Sequence, residues 1–223
     1  MFFAHGVGGT AWYGAKESEW LPLAVKEKLI LVFIQSKGLF FEEKRRNSSG
    51  KAVWAASSWD YLYSGNDLTY VDAVYDAVLK QLFPGVVDVG RVFFCGYDSG
   101  GLFGWPIACT FGGSKFLAVF MYNGGIDEHY LCDRKTMTHP IGSGKPVPYD
   151  QKRCPVWVCV GEGYEHKSRS LNAKKVFDEL SWPVKFSQIK GGGGDWPPGL
   201  EEEAWAWFLT ARDDALIEHV KDI

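Results

Sequence analysis

The stretch Arg91–Cys109, RVFFCGYDSGGLFGWPIAC, decides the fold. An apolar run with strand character, RVFFC, enters a turn framed by Gly96 and Gly100, and a segment with helical spacing follows from Gly100 to Thr110. Strand, sharp turn and helix in that order are the setting of a nucleophile elbow, which holds one side chain in a strained backbone conformation at the top of a sheet. The glycines on either side are needed because Cβ atoms there would collide. In the register G-x-x-x-G, the residue at the tip is Asp98.

Outward from this segment the same alternation continues. Short apolar runs recur at Leu29–Ile34, Phe116–Met121, Val156–Val160 and Val184–Ile189, and read as buried strands. Helical spacing occupies Ser18–Lys28, Asp67–Phe83, Ser168–Leu180 and Leu200–Leu209. In the second of these, Leu68, Val71, Val74, Tyr75, Val78, Leu79 and Leu82 share one face, Asp67 supplies negative charge to the first turn and Pro84 stops the helix. Such alternation predicts the α/β class, a doubly wound and mostly parallel sheet of about six strands, with a site at the carboxyl ends of the strands. Ser36–Tyr63 and Asn123–Arg153 lack periodicity and are longer than ordinary connections. The first holds Trp54 and Trp59, which read either as an aromatic lid that contacts ligand or as a hydrophobic plug.

Composition narrows the function classes. The 223 residues fit a single domain, 1–223, with a charged tail over 211–223. Hydrophobic content of 46% and charged content of 23% are those of a globular chain. A net charge of -3 without Lys/Arg-rich helices or an aromatic-basic motif argues against nucleic acid as a partner and leaves small molecules or protein surfaces. The five cysteines form no CxxC pair and no zinc set with a histidine, so no metal is expected; Cys132 and Cys154, at the ends of a loop-like segment, can pair in an oxidising compartment. MFFAHGVGG is too short an apolar stretch for a signal peptide or membrane span. The chain as written therefore reads as cytoplasmic, or as secreted if its N-terminus is truncated.

Several motifs together resemble the α/β-hydrolases of the feruloyl esterase and polyhydroxybutyrate depolymerase family: Arg-Val-Phe before the elbow, Gly-x-x-x-Gly-Gly through it, HGVGGT at His5–Thr10, DLTYVDAV in the preceding helix, and FLAVFMYNGG after it. The resemblance spans nearly the whole chain and implies an α/β-hydrolase-like sheet that begins within the third strand, apparently lacking the first strands. It implies an oxyanion loop at His5, Gly6 and Val7, completed by the backbone of Ser99. It also implies where a Ser-Asp-His triad would stand. The nucleophile position holds Asp98, the acid position in VWVCVGEGYEH holds Tyr164 with Glu162 and Glu165 beside it, and the histidine position in GGGGDWPPG, anchored by Trp196 and Pro197, holds Gly194. Trp196 joins Trp54 and Trp59 as a candidate ligand-binding residue.

A serine ester hydrolase needs a hydroxyl, a base and a group that orients the base. Asp98 can attack carbon, but the covalent ester must then be cleared by activated water, and Gly194 supplies no base. His166, next to the acid turn, and His5 are the candidates for a relocated one. Ser99 sits in Asp-Ser-Gly-Gly, a string also found in chymotrypsin-like proteases, but those are all-β, and a tip moved to Ser99 puts Tyr97 where a small residue is required. Carboxylates also suit helix N-termini for structural reasons, which offers Asp98 a non-catalytic role. Three readings follow: a pseudo-esterase that binds a small aromatic or ester ligand without cofactor, an active ester hydrolase using Asp98 or Ser99 with Glu165 and His166, and a structural or interaction subunit.

Overall fold

The computed structural model describes residues 1–36, 39–40, 56–57, 59, 66–126, 138–141, 145–148 and 152–221. Its main sheet has six strands: β1 (Phe2–Ala4), β2 (Val32–Ile34), β5 (Phe93–Tyr97), β6 (Ala118–Tyr122), β9 (Val156–Gly161) and β10 (Val184–Ile189). Their spatial order is β10-β9-β6-β5-β1-β2 and every neighbouring pair is parallel. The remaining strands form two antiparallel pairs, β3 (Leu39–Phe40) with β4 (Ala56–Ser57) and β7 (Thr138–Ile141) with β8 (Lys145–Pro148). Both pairs lie in the segments without periodicity, where two to four residues per strand are too few to register as a pattern.

Alternation along each strand divides the core in two. Phe94, Val119, Met121, Val156 and Val158 point to one face, where α3 (Asn66–Ala77), α4 (Ser99–Phe111) and α5 (Lys167–Glu179) pack. Phe93, Cys95, Phe120, Tyr122, Trp157 and Cys159 point to the other, covered by α2 (Trp20–Glu27) and α6 (Leu200–Lys221). α4 is apolar nearly all round and is buried from Ser99 to Cys109, as a helix wedged between sheet and neighbours must be.

Three boundaries differ from the sequence expectation. β1 is too short to show as an apolar run by itself, and α1 (Ala11–Glu17) precedes α2 where one helix from Ser18 was expected. Ser18 caps α1 instead, and Glu19 turns the chain at φ 53°. α6 runs on to Lys221 through the segment expected as a tail, which contains neither Gly nor Pro. Among the described residues no helix is long and apolar enough to cross a membrane.

The chain leaves β1 for β2 on one side and returns to β5 on the other. This reversal opens a crevice at the carboxyl ends of β1 and β5.

Candidate functional site

Asp98 occupies the turn between β5 and α4 with φ 52° and ψ -113°. The glycines around it are fixed by contact: a Cβ on Gly96 would lie 2.1 Å from the Gly100 carbonyl oxygen, and one on Gly100 would lie 2.2 Å from that of Ala4. The carboxylate does not cap α4. Instead, Oδ2 accepts the backbone N–H of Val7 at 2.8 Å and Oδ1 accepts the hydroxyl of Tyr164 at 2.6 Å. The carboxylate thus clamps three loops together.

The loop after β1 is held by its histidine. His5 is buried; its Nε2 lies 3.1 Å from the Gln35 amide nitrogen and accepts Ser36 N–H at 3.3 Å, which leaves Nδ1 as the donor to the Gly6 carbonyl at 2.8 Å. Burial pushes its pKa down, against smaller opposing contributions from that hydrogen bond and Asp67. Both nitrogens are engaged, so His5 holds the loop after β1 in shape and is not placed as a base for Asp98. Gly6 packs closely on Asp98, since a Cβ there would come within 3.1 Å of that side chain. Thr10 then caps α1 through its hydroxyl, which accepts Tyr13 N–H at 3.0 Å.

Tyr164 lies in the turn after β9. Burial first, then the charge and hydrogen bond of Asp98, hold its phenol well above the usual tyrosine range. Glu165 and His166 pair with each other at the surface, Nε2 to Oε1 at 3.3 Å, and the imidazole packs edge to face against Tyr164 at 5.7 Å between centroids. Glu162 approaches the Gly191 N–H at 3.4 Å. Neither glutamate nor His166 is joined to Asp98.

Gly194 follows β10 and its carbonyl accepts the hydroxyl of Tyr97. The glycine run is tied down by its carbonyls. Asn123 donates to Gly193 O at 2.9 Å and Gly194 O at 3.4 Å, and Tyr122 donates to Asp195 O at 3.0 Å. Asn123 also accepts Gly161 N–H at 2.9 Å, so one side chain stitches the ends of β6, β9 and β10. Tyr97, Tyr122, Asn123 and Asp195 carry this architecture and were not singled out as site residues from the sequence. The signal was adjacency: Tyr97 precedes the elbow residue, Tyr122-Asn123 sits in the small-residue turn, and Asp195 follows Gly194.

Two candidates, one aromatic and one hydroxyl, are corrected. Trp59 is 0% exposed, stacked on Phe103 at 4.9 Å and donating to the His5 carbonyl at 2.8 Å, so it is a core residue and not a ligand platform. Trp54 lies outside the described residues, as does Cys132 and with it the proposed pairing to Cys154. Ser99 is 1% exposed, inside the first turn of α4, which removes its hydroxyl from the crevice. Trp196 does line the cavity that opens beside Asp98, which measures about 490 Å³. Among the described residues no group of three His, Cys, Asp or Glu side chains is gathered as a metal ion requires.

The sheet order, the elbow and the loops converging on it define an α/β-hydrolase-like fold. No family model matches the sequence, and no curated protein matches it either. Solved structures do. SOBER1 of Arabidopsis thaliana superposes with a TM-score of 0.65 at 12% identity, over 94% of this chain and 97% of its own. An acetyl xylan esterase from Aspergillus awamori gives 0.65 at 13%, over 93% and 88%, and a Bacillus cereus carboxylesterase gives 0.59 at 12%, over 94% and 87%.

Proposed function

We propose that this chain is a ligand-binding pseudo-esterase: an ester-hydrolase scaffold, similar in its motifs to feruloyl esterases and polyhydroxybutyrate depolymerases, in which the Ser-Asp-His mechanism is lost. The observation that carries this reading is the engagement of Asp98. Its carboxylate takes up the Val7 N–H, the donor that an oxyanion would need, and adds a negative charge where one would develop. Its other oxygen is bound to Tyr164, at the position expected for the acid. Among the described residues no imidazole reaches Asp98: His5 is spent on Gly6 and Gln35, and His166 pairs with Glu165. The carboxylesterase and acetyl xylan esterase among the structural neighbours support an ester-type small molecule as the ligand, and Trp196 in the cavity wall supports an aromatic one.

The deciding experiment is turnover of p-nitrophenyl acetate by the purified protein, with hydrolysis expected at the uncatalysed rate. Substantial turnover that Asp98→Ala abolishes would make Asp98 a working nucleophile and overturn the reading.

A further inference from the structure

The cavity beside Asp98 falls within the size range of small-molecule sites, roughly 300 to 1,000 Å³. Its lining is electrostatically one-sided. Two acidic residues, Asp98 and Asp195, line it, no Lys or Arg does, and its one imidazole, His5, is pushed towards lower pKa by burial and accepts Ser36 N–H at Nε2. Both recorded partners of Asp98 are neutral, an amide and a phenol, and among the described residues neither carboxylate forms an ion pair. Each Asp98 oxygen accepts one hydrogen bond and keeps a lone pair for another donor. Arg169, whose charge acts on Tyr164, does not line the cavity.

The rest of the wall is aromatic. Trp196 meets Phe3 at 5.8 Å and Tyr97 at 6.1 Å between ring centroids, both edge to face, which makes one continuous surface. Ser18, 2% exposed, also contributes to the lining.

We propose that this cavity binds an organic cation: a protonated amine carrying an apolar body of aromatic size, its ammonium at Asp98 and Asp195 and its body against Phe3 and Trp196. An ammonium supplies the positive charge that the carboxylates lack and gains from the ring faces of Tyr97 and Trp196. The assignment refines the pseudo-esterase reading and rests on it in one respect, that Asp98 is a fixed carboxylate and not a reacting one. It excludes phenolic acids, whose own carboxylate would meet Asp98 and Asp195.

Isothermal titration with three probes of one shape tests the idea: 2-phenylethylammonium, 2-phenylethanol and 3-phenylpropanoate. The ammonium is expected to bind saturably and about tenfold or more tightly than the alcohol, with the propanoate weakest. Asp98→Asn and Asp195→Asn, each checked for native circular dichroism, should weaken the ammonium and leave the alcohol unchanged. Equal affinity for ammonium and alcohol in the wild type, preference for the propanoate, or no saturable binding of the ammonium overturns the ligand class. The p-nitrophenyl acetate assay separates the two ideas: turnover lost in Asp98→Ala sinks the pseudo-esterase reading, whereas an inert protein indifferent to charge sinks only this one.

Discussion

Tyr164 donates its hydroxyl to Oδ1 of Asp98 at 2.6 Å, joining the turn after β9 to the turn after β5. With Val7 bound to the other oxygen, the carboxylate belongs to three loops at once. Its removal is therefore felt at each of them.

The phenols around this junction set a pH limit on stability. Burial raises Tyr97, Tyr122 and Tyr164 above the ordinary tyrosine value, with Tyr122 pushed up to about 12, and it pushes the Cys159 thiol up to about 11. The unfolded chain releases tyrosine protons near pH 10, so these groups contribute fully below that point. Their contribution is lost as pH rises towards the folded values, between about 10 and 12 for Tyr122. Phenolate absorbance of the native protein should show a late-ionising class that shrinks in Tyr164→Phe, and urea midpoints should fall over the same window. Uniform titration of all tyrosines near pH 10 would contradict this.

Restoring hydrolysis should take several substitutions. Asp98→Ser alone releases the Val7 N–H but gives the hydroxyl no base. Gly194→His is sterically allowed, because nothing lies within 4 Å of a Cβ there and the residue does not need a left-handed backbone. The pair should give faint turnover of p-nitrophenyl acetate, and adding Tyr164→Asp should raise it by on the order of 10²-fold or more, since an orienting acid is worth up to about 10⁴. Asp98→Ser alone reaching the activity of the triple variant would refute this dependence.

Ser99→Ala separates the shifted nucleophile from a structural serine. The Ser99 hydroxyl is buried and has no partner among the described residues, so the substitution should be neutral or stabilising by up to about 1 kcal/mol in thermal unfolding. Any esterase activity that disappears with it would return Ser99 to the reaction.

Glycines of similar appearance in the sequence should behave oppositely. Gly96→Ala drives a methyl into the Gly100 carbonyl and should cost about 3 kcal/mol or more, or prevent folding, whereas Gly194→Ala meets open space and should stay within about 0.5 kcal/mol. Melting temperatures of the two variants decide it.

Asn123→Ala removes hydrogen bonds to Gly161, Gly193 and Gly194 from a residue 1% exposed. A loss of about 2 to 4 kcal/mol is expected. Faster amide exchange over Gly191–Gly194 would show that this side chain anchors the run; unchanged exchange would assign the anchoring to Tyr97 and Tyr122.

The elbow was legible because glycine spacing and an apolar run encode it locally. Parallel pairing followed from the alternation of strands and helices. β1, three residues long, leaves no periodicity of its own, and Trp59 stayed open between lid and plug because an aromatic in an irregular segment has the same composition whether it covers a pocket or fills the core. The clamp on Asp98 was out of reach for another reason: its partners are a backbone N–H 91 positions away and a phenol 66 positions away, and neither distance leaves a pattern. Asn123 was equally silent, since a single amide serving three carboxyl-end loops looks like any other turn residue.

The backbone at position 98 keeps φ 52° and ψ -113° although the residue there is bound on both oxygens by neutral groups. Conformations of this kind cost about 1 to 3 kcal/mol and persist only where the surroundings impose them. Here the close approach of the Gly100 carbonyl to Gly96 and of the Ala4 carbonyl to Gly100 frames the turn on both sides. The turn is a socket whose shape is set by the glycines that frame it. A Ser or Cys placed there would keep the aim of the tip but lose the ties to Val7 and Tyr164, so a new chemistry at this position has to be built with its surroundings and not by the tip alone.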